Sequence, residues 1–214
     1  MSTFQCCIDY TKFATELKIH GSILLPPNLV FSSEEIKYLD ELQSFIPEET
    51  VSDGDSGDIH DIYVRRIMTD RPGELPTKVN QPFSGQIVEI LEDEKRSSIF
   101  KQIFDSDPQY IIRRCQINRM VKGSFVGIHL DAESNMSYEY SVIIQLGQEF
   151  EGGEFVVYPE HREPQIYFPT YGTVVITTCK FRHEVRKVTA NERKSLVYFY
   201  SGQTGINPKI SPNK

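Results

Sequence analysis

Long apolar runs are missing from this chain of 214 residues, and no segment approaches the length that a helix needs to cross a bilayer. The first residues, MSTFQCCIDYTKFATELK, also lack the basic start and the continuous apolar segment of a signal peptide. These two absences argue against a membrane partner and against secretion by that route. We expect a cytoplasmic protein, and the composition leaves its oligomeric state open.

Cysteine and basic residues are both scarce. The four cysteines show no CxxC spacing, and the adjacent Cys6 and Cys7 are poorly placed to bridge to each other, so we expect four free thiols. Lysine and arginine number 23 against 30 acidic residues, which gives a formal net charge of -7. Because nucleic-acid-binding proteins concentrate basic residues on one face, this balance argues against a nucleic-acid partner.

Helical signals are confined to the N-terminal half of the chain. Ser32 has N-cap chemistry and begins a helix that ends before Pro47, and residues 82–104 carry a second helical stretch with one apolar face. Residues 59–68 are predicted to be extended. Residues 48–60, EETVSDGDSGDIH, are acidic and glycine-rich with little to bury, which predicts a surface loop.

From residue 110 onward the sequence changes to short β-rich runs separated by glycine, proline and acidic turns. The runs are YIIRRCQIN, FVGIHL, YSVIIQL, GEFVVY, QIYF, GTVVITT, HEVRKV and SLVYFY. About eight strands in roughly ninety residues predict an all-β barrel or double-sheet roll. We therefore expect one domain over residues 1–214, mainly β with flanking helices. Residues 1–109 would supply an N-terminal helical layer and extended segments that support a barrel formed by residues 110–201.

One short segment, His129-Leu130-Asp131, carries recognisable chemistry. A histidine and a carboxylate two residues apart on an extended strand point to the same face and can supply two ligands of a two-histidine, one-carboxylate iron site. The third ligand should be a distant histidine, because a short segment alone could not offer three ligands and leave room for substrate and oxygen. His183 is the best candidate. Arg193 follows ten residues later, with Ser195 at the same-face position.

From residue 119 to residue 200 the chain resembles the 2-oxoglutarate and Fe(II)-dependent oxygenases, specifically the prolyl 4-hydroxylase-like branch. The resemblance is carried by HLD at 129–131, SVIIQL at 141–146, EGGEF at 151–155, GTVVITT before His183, and HEV followed by ERKSLVYFY. It implies that the barrel is a double-stranded β-helix, or jelly roll, and that residues 110–201 form a catalytic core.

The same resemblance implies how the site is built. His129, Asp131 and His183 would be the Fe(II) ligands, and Arg193, together with Ser195, would bind the far carboxylate of the co-substrate 2-oxoglutarate. Ser141, at a position where relatives often carry threonine, is a further candidate for that carboxylate. The implied reaction consumes O2, converts 2-oxoglutarate into succinate and CO2, and hydroxylates an aliphatic C–H bond. Ascorbate is an additional candidate cofactor.

The substrate region departs from the family pattern. Met120 stands where relatives commonly carry a tyrosine that contacts 2-oxoglutarate. Tyr138, Tyr140 or Gln145 could take over that contact, and Tyr138 and Tyr140 are also candidate substrate contacts. Arg119, on the strand that leads to the HLD segment, points either at substrate or into solvent.

The leading hypothesis is an enzyme that hydroxylates an aliphatic carbon of an amino acid, either free or as a prolyl or other residue within a peptide or protein. The alternative is a non-catalytic jelly-roll binding protein that retains a metal site. A free amino acid would favour residues 48–80 as a lid, and a peptide would favour them as the wall of an open groove. The sequence leaves both open.

Overall fold

The computed structural model describes residues 9–54, 59–105, 109–147 and 149–208. In the N-terminal half, helices alternate with strands that join the central sheets. These elements are α1 (Thr11–His20), β1 (Ser22–Leu25), α2 (Ser33–Gln43), β2 (Glu49–Asp53), β3 (Ile59–Thr69), β4 (Thr77–Lys78), α3 (Phe83–Leu91) and α4 (Glu94–Phe104).

The C-terminal half consists almost entirely of strands, and each of the eight predicted β-rich runs contains one of them. The elements are β5 (Ile111–Met120), β6 (Phe125–His129), α5 (Asp131–Ser134), β7 (Tyr140–Gln145), β8 (Phe150–Gly152), β9 (Phe155–Tyr158), β10 (Gln165–Tyr167), β11 (Val174–Thr178), β12 (Arg182–Val185), β13 (Val188–Asn191) and β14 (Arg193–Ser201).

The strands form a nearly closed antiparallel sheet with two facing halves. The larger half has the order β1-β11-β7-β14-β5-β3, and the smaller half has the order β6-β12-β9-β10. The long strand β3 joins them, because its first residues pair with β6 and its later residues pair with β5. This architecture confirms the predicted mainly-β jelly roll with flanking helices.

Alternation along the strands of the larger half separates two cores. On β14, Leu196, Tyr198 and Tyr200 face outward and pack with the helices, whereas Val197 packs inside the roll. The inner core also contains Ile62 from β3, and Phe155 and Val185 from the smaller half. The inner core is therefore built by both facing halves of the sheet. Because successive side chains of a strand point to opposite faces, every second residue of β14 is directed into the space between the two halves.

The predicted helices are present, with one difference. Ser32 caps α2 in a capping box with Glu35, and the helix ends at Gln43, before Pro47. Residues 82–104 form two helices rather than one stretch, because the Asp93 side chain accepts a hydrogen bond from the Arg96 backbone N–H and starts α4 anew.

The prediction of a loop over residues 48–60 is wrong for its first part. Residues 49–53 form β2, which pairs with β3 through partners such as Val51 and Ile62. The apolar Val51 packs against the inner core, and this contact outweighs the polar composition of the segment. Residues 55–58 lie outside the described residues, and residues 59–69 form the predicted extended segment.

The cysteines that the structure describes, Cys115 and Cys179, are buried free thiols. Cys6 and Cys7 lie outside the described residues. Within the described ranges, no helix has the length and apolarity that crossing a membrane would require. The division of the chain near residue 110 stays a prediction, since β1 and β3 from the first half pair directly with β11 and β5.

Gly127, where β6 contacts β3, is predicted to be sensitive to substitution. A Cβ added at Gly127 would lie 2.5 Å from the backbone oxygen of Ile59. Gly127→Ala should therefore push β3 away from β6 and lower the free energy of unfolding by about 1–3 kcal/mol. Gly205→Ala is the matched control, because the nearest atom to its added Cβ is 3.8 Å away. Urea unfolding followed by far-UV circular dichroism would compare the two, and equal stabilities would contradict the tight contact.

Candidate metal centre

Strand pairing brings the two candidate histidines together. His129 at the end of β6 and His183 on β12 are direct partners in the antiparallel register. Asp131 follows at the start of the one-turn helix α5, after an extended Leu130. The carboxylate lies between the imidazoles, with Oδ1 3.4 Å from His129 Nε2 and Oδ2 3.5 Å from His183 Nε2. The three ligand atoms lie within 4.8 Å of one another, close enough for one metal ion.

Backbone carbonyls orient both imidazole rings. His129 Nδ1 lies 2.9 Å from the carbonyl oxygen of Gly127, and His183 Nδ1 lies 3.1 Å from that of Phe181. A carbonyl oxygen can only accept, so each Nδ1 must carry the proton, and in the neutral ring each Nε2 offers a lone pair. Both lone pairs face Asp131.

The donor set fits a divalent cation. Burial of Asp131 opposes its ionisation. When the two imidazoles also carry a proton on Nε2, the positive charge of His183, a hydrogen bond from His129 and the hydroxyl of Ser141 outweigh this effect and lower the pKa of Asp131 to about 2, so the carboxylate stays ionised. Its Oδ2 is buried without a hydrogen-bond donor. A metal cation stabilises two imidazole lone pairs and a carboxylate that are all directed at one point. This combination of ligands is typical of non-haem Fe(II) sites.

Arg193 lies in the same cleft on the facing half of the sheet. Its side chain is 1% exposed, and Nη1 contacts Ser195 Oγ at 3.3 Å and Met120 Sδ at 3.6 Å. Nε and Nη2 are buried without a hydrogen-bond acceptor, and no carboxylate in the described part of the chain forms an ion pair with the guanidinium. Burial lowers the pKa of Arg193 to about 10. A buried cation left in this state is a site for an anion.

The cleft between the two halves holds all of these groups and encloses an empty volume of about 920 Å³ including its open mouth. The pairing of β14 with β5 gives the order of the residues along the cleft. The successive inward pairs are Arg193 with Met120, Ser195 with Asn118, Val197 with Gln116, and Phe199 with Arg114. Neighbouring pairs are about 6.8 Å apart along the strands, so Arg193 and Arg114 lie at opposite ends of the cleft, with their backbones about 20 Å apart.

Ser141 lines the cleft but is not at the Arg193 end. It pairs with Phe199, whereas Ser195 pairs with Gln145, four residues along β7 and about 13 Å away. Its hydroxyl lies beside Asp131 instead.

The other candidate substrate contacts lie outside the residues that line this cleft. Arg119 is on the outer face of β5, where its guanidinium pairs with Glu48 and Glu192 at 2.7 and 2.8 Å. Tyr138 stacks on Phe199 with ring centroids 4.9 Å apart.

Tyr140 and Gln145 also lie elsewhere. Tyr140 stacks on Phe104, on the helical side of the sheet. The Gln145 amide nitrogen donates to the carbonyl oxygen of Lys194 at 2.9 Å. These positions follow from strand alternation and from packing partners that come from distant parts of the chain.

Several cleft residues carry no motif in the sequence. His60 on β3 meets the edge of the His129 ring, and its Nδ1 accepts a hydrogen bond from the Gly127 N–H at 3.3 Å. Arg114, Gln116 and Asn118 form a polar row along β5, in which each side chain donates to the next. Their spacing of two along a strand was the available signal, but it does not say which face is inside.

A comparison of sequences and structures decides the family. An oxidoreductase of the 2OG-Fe(II) oxygenase family from Burkholderia pseudomallei is 50% identical, and the alignment covers 94% of each chain with a TM-score of 0.89. The chain belongs to the 2OG-Fe(II) oxygenase family. The model of the 2OG-Fe(II) oxygenase superfamily matches residues 115–201. The protein is accordingly a 2-oxoglutarate-dependent dioxygenase, and the family implies Fe(II) and 2-oxoglutarate.

More distant oxygenases share the fold. A prolyl-4-hydroxylase from Pseudomonas putida is 14% identical over 90% of this chain and 98% of its own, with a TM-score of 0.63. A prolyl hydroxylase from Trichoplax adhaerens, in complex with a hypoxia inducible factor peptide fragment, is 15% identical over 94% of each chain, with a TM-score of 0.67. At these identities the likeness establishes the fold alone. No curated protein matches the chain.

The geometry predicts which imidazoles bind metal. His183→Ala should weaken Mn(II) binding by more than about 100-fold, because even the loss of an outer hydrogen-bond partner of a ligand weakens binding about 10- to 100-fold. His60→Ala is the control, since His60 lines the same cleft but is not part of the three-residue cluster. Electron paramagnetic resonance of free Mn(II) measures both. Equal losses in the two variants would contradict this ligand assignment.

Proposed function

We propose that the protein is an Fe(II)- and 2-oxoglutarate-dependent hydroxylase that acts on an aliphatic C–H bond of an amino acid and releases succinate and CO2. The amino acid is either free or a prolyl or other residue within a peptide or protein. His129, Asp131 and His183 would hold the iron. Iron bound there supplies the activation of O2 and of the 2-oxo acid.

The buried guanidinium of Arg193 carries the proposal. It stands across the cleft from the three-residue cluster, it has two nitrogens without acceptors, and it lies beside the Ser195 hydroxyl. A carboxylate placed there accepts two parallel hydrogen bonds from the guanidinium fork and neutralises a charge that the fold leaves buried. The far carboxylate of 2-oxoglutarate fits this place, with its oxo-acid end directed towards the cluster.

Met120 stands where relatives commonly carry a tyrosine, so another residue has to contact 2-oxoglutarate in this protein. Met120 has no donor, and its sulfur packs against Arg193. Asn118, the next inward residue of β5, stands level with Ser195. Its Oδ1 accepts a hydrogen bond from Gln116 at 2.7 Å, which turns the Nδ2 donors towards the remaining space in the cleft. We assign Asn118 as a neutral donor to the co-substrate.

The cleft walls supply the dry surroundings that C–H hydroxylation needs. Apolar side chains from both halves surround the cluster, among them Val64, Ile143, Val126, Phe155 and Val185. Such walls limit water near the reacting centre and strengthen the charge interactions inside.

The choice of an amino acid as substrate rests partly on relatives. The prolyl hydroxylase from Trichoplax adhaerens is named in complex with a peptide, and the Pseudomonas putida relative is named a prolyl-4-hydroxylase. Both names favour an aliphatic carbon of an amino-acid residue as the position that is oxidised. β2 lines one side of the cleft with Val51 and Asp53, so this part of residues 48–80 serves as a wall.

Succinate formation tests the proposal. The purified protein, with Fe(II), ascorbate, 2-oxoglutarate and O2, would be assayed across free amino acids and proline-containing peptides. We expect slow succinate release without substrate and a clear stimulation by one group of compounds. No succinate above a His129→Ala background, with or without substrate, would contradict the proposed function and favour the binding-protein alternative.

The assigned role of Arg193 makes a separate prediction. Arg193→Ala should raise the KM for 2-oxoglutarate by about 10- to 100-fold, because a charge-assisted pair of hydrogen bonds is lost. Arg193→Lys should recover part of the loss, since it keeps the charge without the fork. Lys194→Gln is the matched control, because this neighbouring cation pairs with Asp40 at 2.7 Å on the other face of β14. An unchanged KM for 2-oxoglutarate in Arg193→Ala would show that Arg193 does not bind the co-substrate.

A further inference from the structure

We propose that Asn135 is a positioning residue for the metal ligand Asp131. The buried ion pair of Arg113 with Asp70 is the fixed point to which Asn135 ties this ligand. The inference rests on the ligand role assigned to Asp131 under the proposed function. It adds residues that the metal site and the co-substrate site do not use, since Asn135, Arg113 and Asp70 all lie outside the set that lines the cleft.

Asp131 needs support from outside the sheet, unlike the two histidine ligands. His129 and His183 lie on strands that pair directly, so the sheet itself sets their positions. Asp131 begins α5, a helix of four residues, and its carbonyl oxygen accepts a hydrogen bond from the Asn135 N–H at 3.4 Å. A single turn with so few backbone hydrogen bonds does not hold its own shape in water. The place of the Asp131 carboxylate therefore depends on what fixes the ends of α5.

The start of α5 is held weakly. The Ala132 N–H donates to the Cys179 carbonyl oxygen at 3.4 Å, which is long for a hydrogen bond between amides. The Glu133 carboxylate pairs with Arg182 at 3.2 Å, but both side chains are exposed, and such pairs contribute little. A firmer attachment has to come from the other end of the turn.

The end of α5 is held firmly by the Asn135 side chain, which is 1% exposed. Its Nδ2 donates to Asp70 Oδ2 at 2.7 Å, a short hydrogen bond to a charged acceptor. Its Oδ1 accepts from the N–H and the hydroxyl of Ser137 at 2.9 and 2.8 Å. The amide is thus fixed on both sides, and the same residue contacts Asp131 through its backbone N–H.

The acceptor on Asp70 is itself held in place. Arg113 donates to both carboxylate oxygens of Asp70, at 2.9 and 3.0 Å, and both side chains are fully buried. Arg113 Nη1 donates further to the carbonyl oxygens of Gln203 and Gly205, each at 2.8 Å. The Asn207 side-chain amide donates to the Asp70 carbonyl oxygen at 2.9 Å. The ion pair therefore joins β5, the end of β3 and the segment that follows β14.

The chemistry of this ion pair favours a positional role over a role in stability. A buried ion pair contributes little net stability, because taking two charges out of water costs about as much as their attraction gains. What the pair does supply is an acceptor at a fixed place, one turn of helix from Asp131. Metal sites require ligands within about 0.5 Å of their productive positions, and this attachment supplies that precision for Asp131.

Metal affinity tests the assignment. Asn135→Ala should weaken Mn(II) binding by about 10- to 100-fold, the range for losing an outer hydrogen-bond partner of a metal ligand. Asn135→Asp has the same shape and can still accept from Ser137, but it places a second carboxylate against Asp70. We expect it to lose at least as much affinity as Asn135→Ala. Electron paramagnetic resonance of free Mn(II) measures both variants.

A matched control separates positioning from stability. Ser32→Ala removes the cap of α2, outside the cleft, and should lower the stability of the fold while Mn(II) binds as in the unaltered protein. Urea unfolding ranks the variants by stability, and circular dichroism shows that each is folded before metal is added. A folded Asn135→Ala or Asn135→Asp variant with unchanged Mn(II) affinity would overturn the inference.

A second substitution shows whether Asn135 acts through Asp131. In an Asp131→Ala background, adding Asn135→Ala should change the remaining Mn(II) affinity by less than about 2-fold, because the ligand to be positioned is gone. The full loss in that background would mean that Asn135 affects the metal by another route, which would also overturn the inference.

Hydrogen exchange of the unaltered, metal-free protein gives a test that needs no variant. The N–H groups of Asn135 and Tyr138 donate to the carbonyl oxygens of Asp131 and Asn135. They should exchange at least about 10-fold more slowly than amides of an unstructured peptide, because the turn is anchored before metal binds. Unprotected exchange that slows only after Mn(II) is added would show that the metal, and not Asn135, sets the position of the turn.

The outcomes separate this inference from the ligand assignment. If Asp131→Ala bound Mn(II) as tightly as the unaltered protein, Asp131 would not be a ligand, and the proposed iron site would fail together with the inference. If Asp131→Ala lost Mn(II) binding while both Asn135 variants kept it, only the inference would be overturned.

Discussion

The direct pairing of β6 with β12 is the constraint on which the site depends. It sets His129 beside His183 although 53 intervening residues separate them in the chain. Each ring is then turned by the carbonyl two residues before it, and the start of α5 brings Asp131 between the rings. A change of one residue in this register would turn one imidazole out of the cleft, because side chains alternate across a strand.

The interior of the roll leaves selected polar atoms without partners. Asp131 Oδ2 and the Nε and Nη2 atoms of Arg193 are buried without hydrogen bonds. By contrast, the ion pair of Arg113 with Asp70 is fully buried and also receives a hydrogen bond from Asn135 at 2.7 Å. Since the fold can satisfy buried charges in one place, the unsatisfied groups of the cleft are best explained as places for a metal and an anion that bind later.

Much of the fold and of the central cluster followed from sequence pattern. The eight β-rich runs and the α2 helix with its Ser32 cap were predicted, because each has a local signal in periodicity or capping. The closeness of His129, Asp131 and His183 was predicted from the same-face HLD segment together with the family resemblance, since His183 is distant in the chain. β2 was not, since its polar sequence acquires order only by pairing with β3. The face on which Arg119 lies and the height of Ser141 in the cleft depend on long-range register, which a single strand does not encode. Arg114 and His60 were not predicted to line the cleft, because the faces on which they lie also depend on long-range register.

We propose that the three-residue cluster and Arg193 together hold Fe(II) and 2-oxoglutarate in one site. The most direct test is an anaerobic titration of the protein with Fe(II) and 2-oxoglutarate, followed in the visible spectrum. We expect a weak charge-transfer band that requires both components and saturates at one equivalent of iron. A folded protein that takes up iron but gives no such band at saturating 2-oxoglutarate would contradict it.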